Sequence, residues 1–493
     1  MRADRRPNVV LVTLDQFRAD HLGVAGHPFV RTPHLDRLAA HGVRFARHYS
    51  QAAPCGPGRA SLYTGMYQAN HRVVANGTPL DAGFDNVALA ARRAGYDPVL
   101  FGYTDQAVDP RTVTDASDPR LASYEGILPG FEAVMPVVDD QRPWLDWLVE
   151  QGHARPSSGA EAWETEPDRP AGHSLAAFLT GTAIDWLEHR RIETDRPWLL
   201  HLSHLRPHPP FAAAGHFATM YDPSQTEPPI TPLPAGERHR LHDSMLRHPL
   251  AAAPDDVDEI RWLRAQYAGM VSEVDHQLGR LWAALEQLGW WDDTVVVVTS
   301  DHGEYLGDHG LIQKGGCFEP SYHVLGIVRD PRHADQHGTV VDEFTENVDV
   351  MPTLCDAMGI AVPTQCDGVP LTPFLRGDDP PWWRDAAHWE YDWRGDLIEL
   401  GTDEDVAAWP WDRRLERQHL AVRRDAESAY VHYGNGTWEC FDLAADPTWR
   451  TRITDPASIL PKAQALLAWR TRHADRRLAG TLIDHGIHGR PPP

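Results

Sequence analysis

The sequence predicts an α/β fold, in which a mostly parallel central sheet is sandwiched by helices and is followed by a smaller C-terminal antiparallel α+β subdomain. Two continuous runs of β-branched and apolar residues, Asn8–Leu14 and 294–300, are typical of parallel strands that are buried on both faces. Shorter apolar runs at 97–101 and 198–202 alternate with segments of helical periodicity. This alternation predicts parallel β-α-β units, whose ligand site lies beyond the carboxyl ends of the strands.

The segments that connect these strands are of two kinds. Amphipathic helical periodicity occurs in three of them: 33–48, 173–190 and 257–288. In the first, Leu35, Leu38, Val43 and Phe45 share one apolar side, so we expect the helix to continue to residue 48. Three proline-rich stretches interrupt the pattern: 136–143, 156–170 and 209–234. We expect these stretches to be long surface loops near the mouth of the ligand pocket.

The composition changes after Pro370, where proline and tryptophan become dense. Strand-like runs between residues 421 and 442 flank Asn435-Gly436, which is a hairpin signal, and 461–472 has the pattern of a helix. These features predict a large α/β domain at 1–375 and a C-terminal subdomain at 376–479, followed by a tail or arm at 480–493.

Charge and composition exclude several classes of protein. The 493 residues are 42% hydrophobic and 24% charged, and the net charge of −24 disfavours binding to nucleic acid and to membrane surfaces. The sequence shows no run of 18 apolar residues and no cleavable leader, so we expect a cytoplasmic protein. The five cysteines are scattered, odd in number and without a CxxC pair, which argues against a disulfide framework and against a structural zinc site.

Two aspartates follow the two longest predicted strands. Asp15 and Asp301 come directly after these runs, and the first and a late strand of a doubly wound sheet can be neighbours. Two carboxylates at one edge of a sheet need a cation between them, and His302 adds an imidazole. The sequence therefore predicts a site for one divalent metal ion. The alternative is that each aspartate only caps the helix that follows it.

Cys55 lies in a segment of unusual composition, APCGPGRASLYTGMY at 53–67. Pro57 and Gly58 predict a turn ahead of a short helix, which would place Cys55 just before a helix N-terminus, and Arg59 follows four residues later. The cysteine is either a small buried apolar residue or a thiol nucleophile, whose pKa would be lowered in such a setting. Lys314 is also notable because the chain has only one other lysine, Lys462.

Four motifs in order resemble the type I sulfatases, a branch of the alkaline phosphatase superfamily. CGPGR at 55–59 matches the C-x-P-x-R signature of that family, and VTLDQFRADHLG, SDHGEYLGDHGLIQKG and DVMPTLCDAMGI supply the other three. Finer features resemble the phosphonate monoester hydrolase and phosphodiesterase subgroup, among them NGTPLD, FGYTD and RPHPPF. The pairs Asp15-Gln16 and Asp301-His302, where many sulfatases have Asp-Asp and Asp-Asn, are similar to that subgroup as well.

The resemblance implies an alkaline phosphatase-like fold with its catalytic domain at 1–375, and it assigns roles to individual residues. The metal would be held by Asp15, Asp301, His302 and an oxygen of residue 55. Arg59, Lys314 and His208 would surround the substrate, with His208 able to protonate a departing alkoxide and Lys314 able to contact a substrate oxygen. The residues expected to line the site and its pocket are Gln16, Asn76, Tyr103 and Thr104.

The resemblance also implies that Cys55 is oxidised to formylglycine before folding, by a formylglycine-generating enzyme. The hydrated aldehyde is a gem-diol, so one hydroxyl can attack phosphorus or sulfur while the other allows the resulting ester to collapse. The alternative is an unmodified Cys55, as a direct thiol nucleophile or beside a metal hydroxide. We expect one divalent ion, with Mn²⁺ favoured and Ca²⁺ possible. By the same resemblance, the chain would form a homo-oligomer, namely a tetramer assembled through C-terminal arms.

Two carboxylates, one imidazole and a dication form a nearly neutral cluster, to which Arg59 and Lys314 add positive charge. This charge suits a small monoanionic ester. We therefore expect a hydrolase of phosphonate monoesters and phosphodiesters that is promiscuous toward sulfate monoesters. One alternative is an arylsulfatase, and another is a catalytically silent binding protein on the same fold.

Overall fold

The computed structural model describes residues 6–138, 141–193, 196–394, 417–474, 481–483 and 487–489. Its strands are β1 Asn8–Leu14, β2 Val43–Tyr49, β3 Ala52–Ala53, β4 Asp97–Gly102, β5 Glu132–Pro136, β6 Trp198–His204, β7 Thr294–Thr299, β8 Gly326–Arg329, β9 Thr339–Glu346, β10 Ala386–Asp392, β11 His419–Asp425, β12 Ser428–Tyr433, β13 Trp438–Asp442, β14 Thr481–Ile483 and β15 Ile487–Gly489. Its α-helices are α1 Pro33–Ala40, α2 Cys55–Thr64, α3 Gln68–His71, α4 Val87–Arg93, α5 Arg142–Glu150, α6 Gly159–Glu164, α7 Leu175–Glu193, α8 Arg240–Met245, α9 Val257–Gln287, α10 Val350–Ala357, α11 Thr372–Arg376 and α12 Pro456–Arg472.

An eight-stranded sheet in the order β5-β4-β6-β1-β7-β8-β2-β9 forms the centre of the molecule. All its neighbouring pairs are parallel except those of β8, which runs antiparallel to β7 and to β2. The predicted mostly parallel sheet is therefore confirmed. β1 lies between β6 and β7, which confirms that the first strand and a late strand are neighbours.

Helices cover both faces of this sheet. Val10, Val12 and Leu14 of β1 face a core built with α1, α7 and α9, whereas Val9 and Leu11 face a second core built with α2, α4 and α10. Successive side chains of a strand point to opposite faces, so a strand between two helical layers has to be apolar at every position. This requirement explains the unbroken apolar run that the sequence shows.

A second sheet in the order β13-β12-β11-β10-β3 confirms the smaller C-terminal sheet. Its pairs are antiparallel except β3 with β10. Asn435 and Gly436 lie between β12 and β13, where Gly436 has φ +88°, as the hairpin signal predicted. β3 comes from the segment just before Cys55, so the small sheet contacts the start of α2.

The prediction of one helix over 33–48 is wrong. α1 ends at Ala40, and β2 begins at Val43. Gly42 explains the change of direction, because a Cβ atom there would lie 2.7 Å from the carbonyl oxygen of Val328 in β8. The glycine lets the chain pass close to the sheet and enter it. The other two amphipathic segments are helical as predicted, as α7 and α9.

The proline-rich stretches are loops only in part. α5 begins at Arg142 with Pro143 in its first turn, where the missing N–H of proline costs no hydrogen bond, and α6 lies within 156–170. Residues 209–234 contain only short 3₁₀ turns, in agreement with the predicted loop. Pro57 and Gly58 form the first turn of α2 rather than a turn before it, so Cys55 is the first residue of the helix.

Within the described ranges, no helix combines the length and the apolar character that crossing a membrane requires. β14 and β15, in the predicted tail, pair in antiparallel orientation, and the other residues of 480–493 lie outside the described chain. The boundaries at residues 375 and 479 stay predictions.

Candidate active site

The ends of β1 and β7 bring the two predicted carboxylates to one place. The parallel register pairs Thr13 with Thr299, so Asp15 and Asp301 come two residues later at the same edge of the sheet. Their exposed fractions are 1% and 0%. The amide N of Gln16, which has φ +70°, donates to Oδ1 of Asp301 at 3.2 Å and so links the two strand ends.

Cys55 meets these carboxylates from the N-terminus of α2. One ligand atom from each of Asp15, Cys55, Asp301 and His302 lies within 4.8 Å of the others. The Sγ atom of Cys55 is 3.2 Å from Nε2 of His302 and 4.0 Å from Oδ1 of Asp15. Gly58 allows this approach, because a Cβ atom there would lie 2.5 Å from the carbonyl oxygen of Asp301.

The cluster has the donor set of a divalent metal site. Nδ1 of His302 lies 3.0 Å from the carbonyl oxygen of Gly303, which assigns the ring proton to Nδ1 and leaves the lone pair of Nε2 directed at the cluster. Nε2 is 3.8 Å from Asp15 and 4.0 Å from Asp301. Two buried carboxylates with an oriented imidazole fit a cation of borderline softness.

Burial and the Asp15 carboxylate raise the pKa of the Cys55 thiol well above its ordinary value. The surroundings that the protein itself provides therefore raise the thiol pKa, and the expectation that they lower it is wrong. The N-terminus of α2 favours a thiolate, but removing the thiol from water and placing it beside negative charge outweigh this effect. A free thiolate nucleophile is thus disfavoured by the surroundings of Cys55.

Arg59 lies beneath the carboxylates and is completely buried. Its Nε donates to Asp301 at 2.9 Å, and its Nη2 is 3.3 Å from Asp15 and 2.7 Å from the hydroxyl of Tyr103. The guanidinium carbon lies 4.0 Å from the centre of the Tyr103 ring. Since its donors are directed at these groups, Arg59 holds the two carboxylates in place and offsets part of their charge.

Lys314, Gln16 and His208 form a chain of contacts on the other side of the cluster. Nζ of Lys314 donates to Oε1 of Gln16 at 2.9 Å and lies 2.9 Å from Nε2 of His208. Burial and Lys314 lower the pKa of His208 to about 3, whereas the pKa of Lys314 is raised by Cys55 and Asp15 although burial opposes this. At neutral pH the imidazole is therefore neutral, and the proton between the two side chains belongs to Lys314.

The three residues expected along the pocket have different surroundings. Oδ1 of Asn76 accepts the amide N–H of Gly56 at 2.8 Å, so Asn76 lies next to the nucleophile position. The hydroxyl of Tyr103 donates to Asp15. The hydroxyl of Thr104 bonds to backbone atoms of the 126–128 segment, at 2.8 Å from both Gly126 and Leu128, so it stabilises that loop.

Two buried acids belong to this region and were not found from the sequence. Glu304 accepts a hydrogen bond from Nε2 of Gln16 and thereby orients the amide oxygen of Gln16 toward Lys314. Asp105 directly follows Thr104, and burial raises its pKa to about 7. Both acids stand next to recognised motifs, Glu304 two residues after His302, and this adjacency is the signal that could have found them.

The fold and the site together define a hydrolase of the alkaline phosphatase-like α/β class. The family model described as sulfatase matches residues 7–360, so the chain belongs to the sulfatase family. It is 36% identical to the multifunctional alkaline phosphatase superfamily protein PehA of Trinickia caryophylli, over 96% of this chain and 97% of that protein.

Two solved structures agree closely with the fold of this chain. The phosphonate monoester hydrolase of Agrobacterium radiobacter is 41% identical with a TM-score of 0.89, over 99% of this chain and 100% of that one. The phosphonate monoester hydrolase SpPMH of Silicibacter pomeroyi is 34% identical with a TM-score of 0.86, over 98% of this chain and 99% of that one.

Proposed function

We propose that this enzyme hydrolyses phosphonate monoesters and phosphodiesters, and sulfate monoesters more slowly, by means of one divalent metal ion and a formylglycine derived from Cys55. The observation that carries the proposal is the buried cluster of Asp15, Cys55, Asp301 and His302, whose ligand atoms all lie within 4.8 Å. The names of the phosphonate monoester hydrolases, at 34% and 41% identity, support the class of ester.

Asp15, Asp301, His302 and an oxygen of residue 55 would hold the metal ion. A nitrogen donor beside two carboxylates favours Mn²⁺, and Ca²⁺ is the second candidate because it prefers an all-oxygen shell. When bound, such an ion supplies Lewis-acid stabilisation of the charge that develops on the ester oxygens.

The position of Cys55 agrees with a modification that precedes folding. Its side chain is buried, with 5% of the residue exposed, and lies under the ends of two strands, so a modifying enzyme could reach the thiol only in the unfolded chain. The CGPGR segment is the element that a formylglycine-generating enzyme would recognise. The hydrated aldehyde supplies one hydroxyl for attack and a second for release of the bound anion.

The side chains around the cluster have separate roles in positioning and in proton transfer. Arg59 holds the two carboxylates in place, through the contacts at 2.9 and 3.3 Å. Lys314 carries the transferable proton and lies beside neutral His208, so we assign protonation of the departing alkoxide to this pair. Gln16 holds Lys314 in place at 2.9 Å.

The preference for phosphorus rests on charge. Gln16 is neutral at a position where many sulfatases have Asp, and His302 stands where many have neutral Asn, so the site has less negative charge facing the ester. Phosphoryl transfer leaves more charge on the non-bridging oxygens than sulfuryl transfer and gains more from such a site.

A substrate panel tests this proposal. Fully modified, metal-loaded enzyme is assayed with one aryl leaving group on a phosphonate monoester, a phosphodiester, a sulfate and a phosphate monoester. We expect the highest kcat/KM for the first two, detectable cleavage of the sulfate, and the lowest value for the dianionic phosphate monoester. A sulfate preference above about tenfold, roughly 1.4 kcal/mol in transition-state binding, would make the enzyme an arylsulfatase instead.

Assembly and location complete the proposal. We infer a homotetramer formed through the arm at 480–493, in which β14 and β15 pair in antiparallel orientation, and a cytoplasmic enzyme. Light scattering on the full chain and on a chain that ends at residue 479 tests the arm: the full chain should be a tetramer and the shortened chain a smaller species. Two chains of equal oligomeric state would contradict the role of the arm.

A further inference from the structure

The loop that carries His208 is tied together by one buried arginine. Arg206 is 2% exposed, and its Nη1 donates to the carbonyl oxygens of His208 and Pro210, both at 2.9 Å. Its Nη2 donates to the carbonyl oxygen of Ala212 at 3.1 Å. The guanidinium therefore bonds to the backbone at His208 itself and at two later positions of the loop.

Glu166 fixes this arginine from the other side. Oε2 of Glu166 accepts Nε of Arg206 at 3.1 Å and also Nη2, and the carboxylate is 1% exposed. Oε1 of Glu166 accepts the amide N–H of Leu175, the first residue of α7, at 2.9 Å. The ion pair thus connects the His208 loop to a long helix that packs on the central sheet.

The two nitrogens of the His208 imidazole have different partners, one within this loop and one outside it. Nδ1 lies 2.6 Å from the carbonyl oxygen of Pro209, which assigns the ring proton to Nδ1 and directs Nε2 to Nζ of Lys314 at 2.9 Å. The backbone on both sides of Pro209 is held by Arg206. A shift of this backbone would therefore turn the ring away from Lys314.

We propose that Glu166 and Arg206 are positioning residues for catalysis, which hold the His208 loop so that His208 contacts Lys314 in the proton-donating pair. This inference rests on the role that the proposed function gives to that pair. Within the described part of the chain, neither residue bonds to the side chains of the metal cluster, and both act through His208. An arginine is required because a lysine cannot donate to three carbonyl oxygens and a carboxylate at the same time.

A second buried acid, Glu273, lies near this pair but does not replace Glu166. Burial and the charge of Glu166 raise the pKa of Glu273 to about 8, so it is neutral at pH 7. Glu273 therefore does not supply a negative charge to Arg206 at that pH. Arg206→Lys keeps the positive charge and removes the planar set of donors, so it tests the hydrogen bonds separately from the charge. Glu166→Gln removes the carboxylate charge that pairs with Arg206.

The test measures kcat and KM of fully modified, Mn²⁺-loaded enzyme on aryl phosphodiesters whose leaving-group pKa varies. For Arg206→Lys and Glu166→Gln, we expect kcat to fall by about tenfold to a hundredfold with the poorest leaving group and by less than about threefold with the best. KM should stay within about twofold. Such a pattern is not produced by a general loss of folded enzyme, which lowers every kcat by the same factor.

Glu439→Gln is the matched control, because Glu439 is a buried carboxylate paired with Arg452 in the second sheet. It should change the melting temperature but not the leaving-group dependence. The double variant of Arg206→Lys with His208→Asn completes a cycle: if Arg206 acts through His208, adding Arg206→Lys to His208→Asn should lower kcat by less than about twofold.

Two results would contradict this inference while leaving the proposed function intact. These are an Arg206→Lys variant whose kcat falls equally for all leaving groups, or one whose full effect persists in the His208→Asn background. If His208→Asn leaves the leaving-group dependence of the wild type unchanged, the proposed role of the Lys314 and His208 pair fails, and the inference fails with it. The cycle thus separates the two cases.

Discussion

Tyr103 is the side chain whose role the structure changes most, and removing its hydroxyl gives a sharp prediction. The hydroxyl donates to Oδ2 of Asp15 and accepts Nη2 of Arg59 at 2.7 Å. Tyr103→Phe keeps the ring, whose centre lies 4.0 Å from the guanidinium carbon, and removes only these two bonds. The expected effect is weaker metal binding, because Asp15 loses a donor that fixes its orientation.

The magnitude follows from the type of bond. A hydrogen bond to a charged group contributes about 1.5–3 kcal/mol when it is buried. Removing a group that orients a metal ligand typically lowers metal affinity by about tenfold to a hundredfold, which agrees with this range. We therefore expect the Kd for Mn²⁺ to rise by that factor, while kcat at saturating metal falls by less than about fivefold.

Isothermal titration of metal-free enzyme with Mn²⁺ measures this Kd directly. Tyr63→Phe is the matched control, because its hydroxyl lies 3.3 Å from Nη1 of Arg59 and 2.9 Å from Nε2 of His201 but makes no contact with Asp15. Its Kd should stay within about threefold of the wild type. Equal changes in the two variants, or no change in Tyr103→Phe, would refute the role of the tyrosine in orienting Asp15.

Three further predictions concern single side chains. Asp301→Ala should lose both bound metal and activity, whereas Lys314→Ala should keep the metal and have a lower kcat. Elemental analysis of the two variants distinguishes these outcomes. One equivalent of metal bound to Asp301→Ala would show that the metal site lies elsewhere. Cys55→Ser should accumulate a phosphorylated enzyme visible in the intact mass, and steady multiple turnover would argue for direct attack by water. For Glu273, folding raises the pKa from 4.5 to about 8, so the folded state keeps a proton that the unfolded chain releases, and stability falls as pH rises through this window. Glu273→Gln should therefore gain up to roughly 4 kcal/mol relative to wild type between pH 5 and pH 8.5 in urea titrations, and parallel stability curves would contradict this.

The sequence alone predicted those parts of the fold in which every residue satisfies the same packing requirement. Every residue of β1 is buried between two helical layers, so its apolar run predicted both the strand and the sheet. The helix expected at 33–48 failed at Gly42, because the apolar spacing there fits a helix and a strand equally well. The deciding factor is the close approach to Val328, which is a contact between distant parts of the chain.

The candidate site was likewise predicted from the sequence only in part. The sequence placed Asp15 and Asp301 together because strand ends meet at one edge of a parallel sheet, and the structure brings them there. It could not show that Arg59 bonds to both carboxylates, since the direction of a buried guanidinium depends on Tyr103 and Asp301 across the site. The lowered pKa of His208, and thus the location of the proton on Lys314, depends on burial that no local pattern reveals.

The identity of residue 55 in active enzyme tests the central claim most directly. Trypsin releases residues 48–59 as one peptide, since it cleaves after Arg47 and after Arg59. Mass spectrometry of this peptide gives the fraction of aldehyde, which can be compared with kcat across preparations made with and without a formylglycine-generating enzyme. The account predicts that kcat is proportional to the aldehyde fraction and approaches zero without it. Full activity in a preparation where residue 55 is entirely cysteine would contradict it.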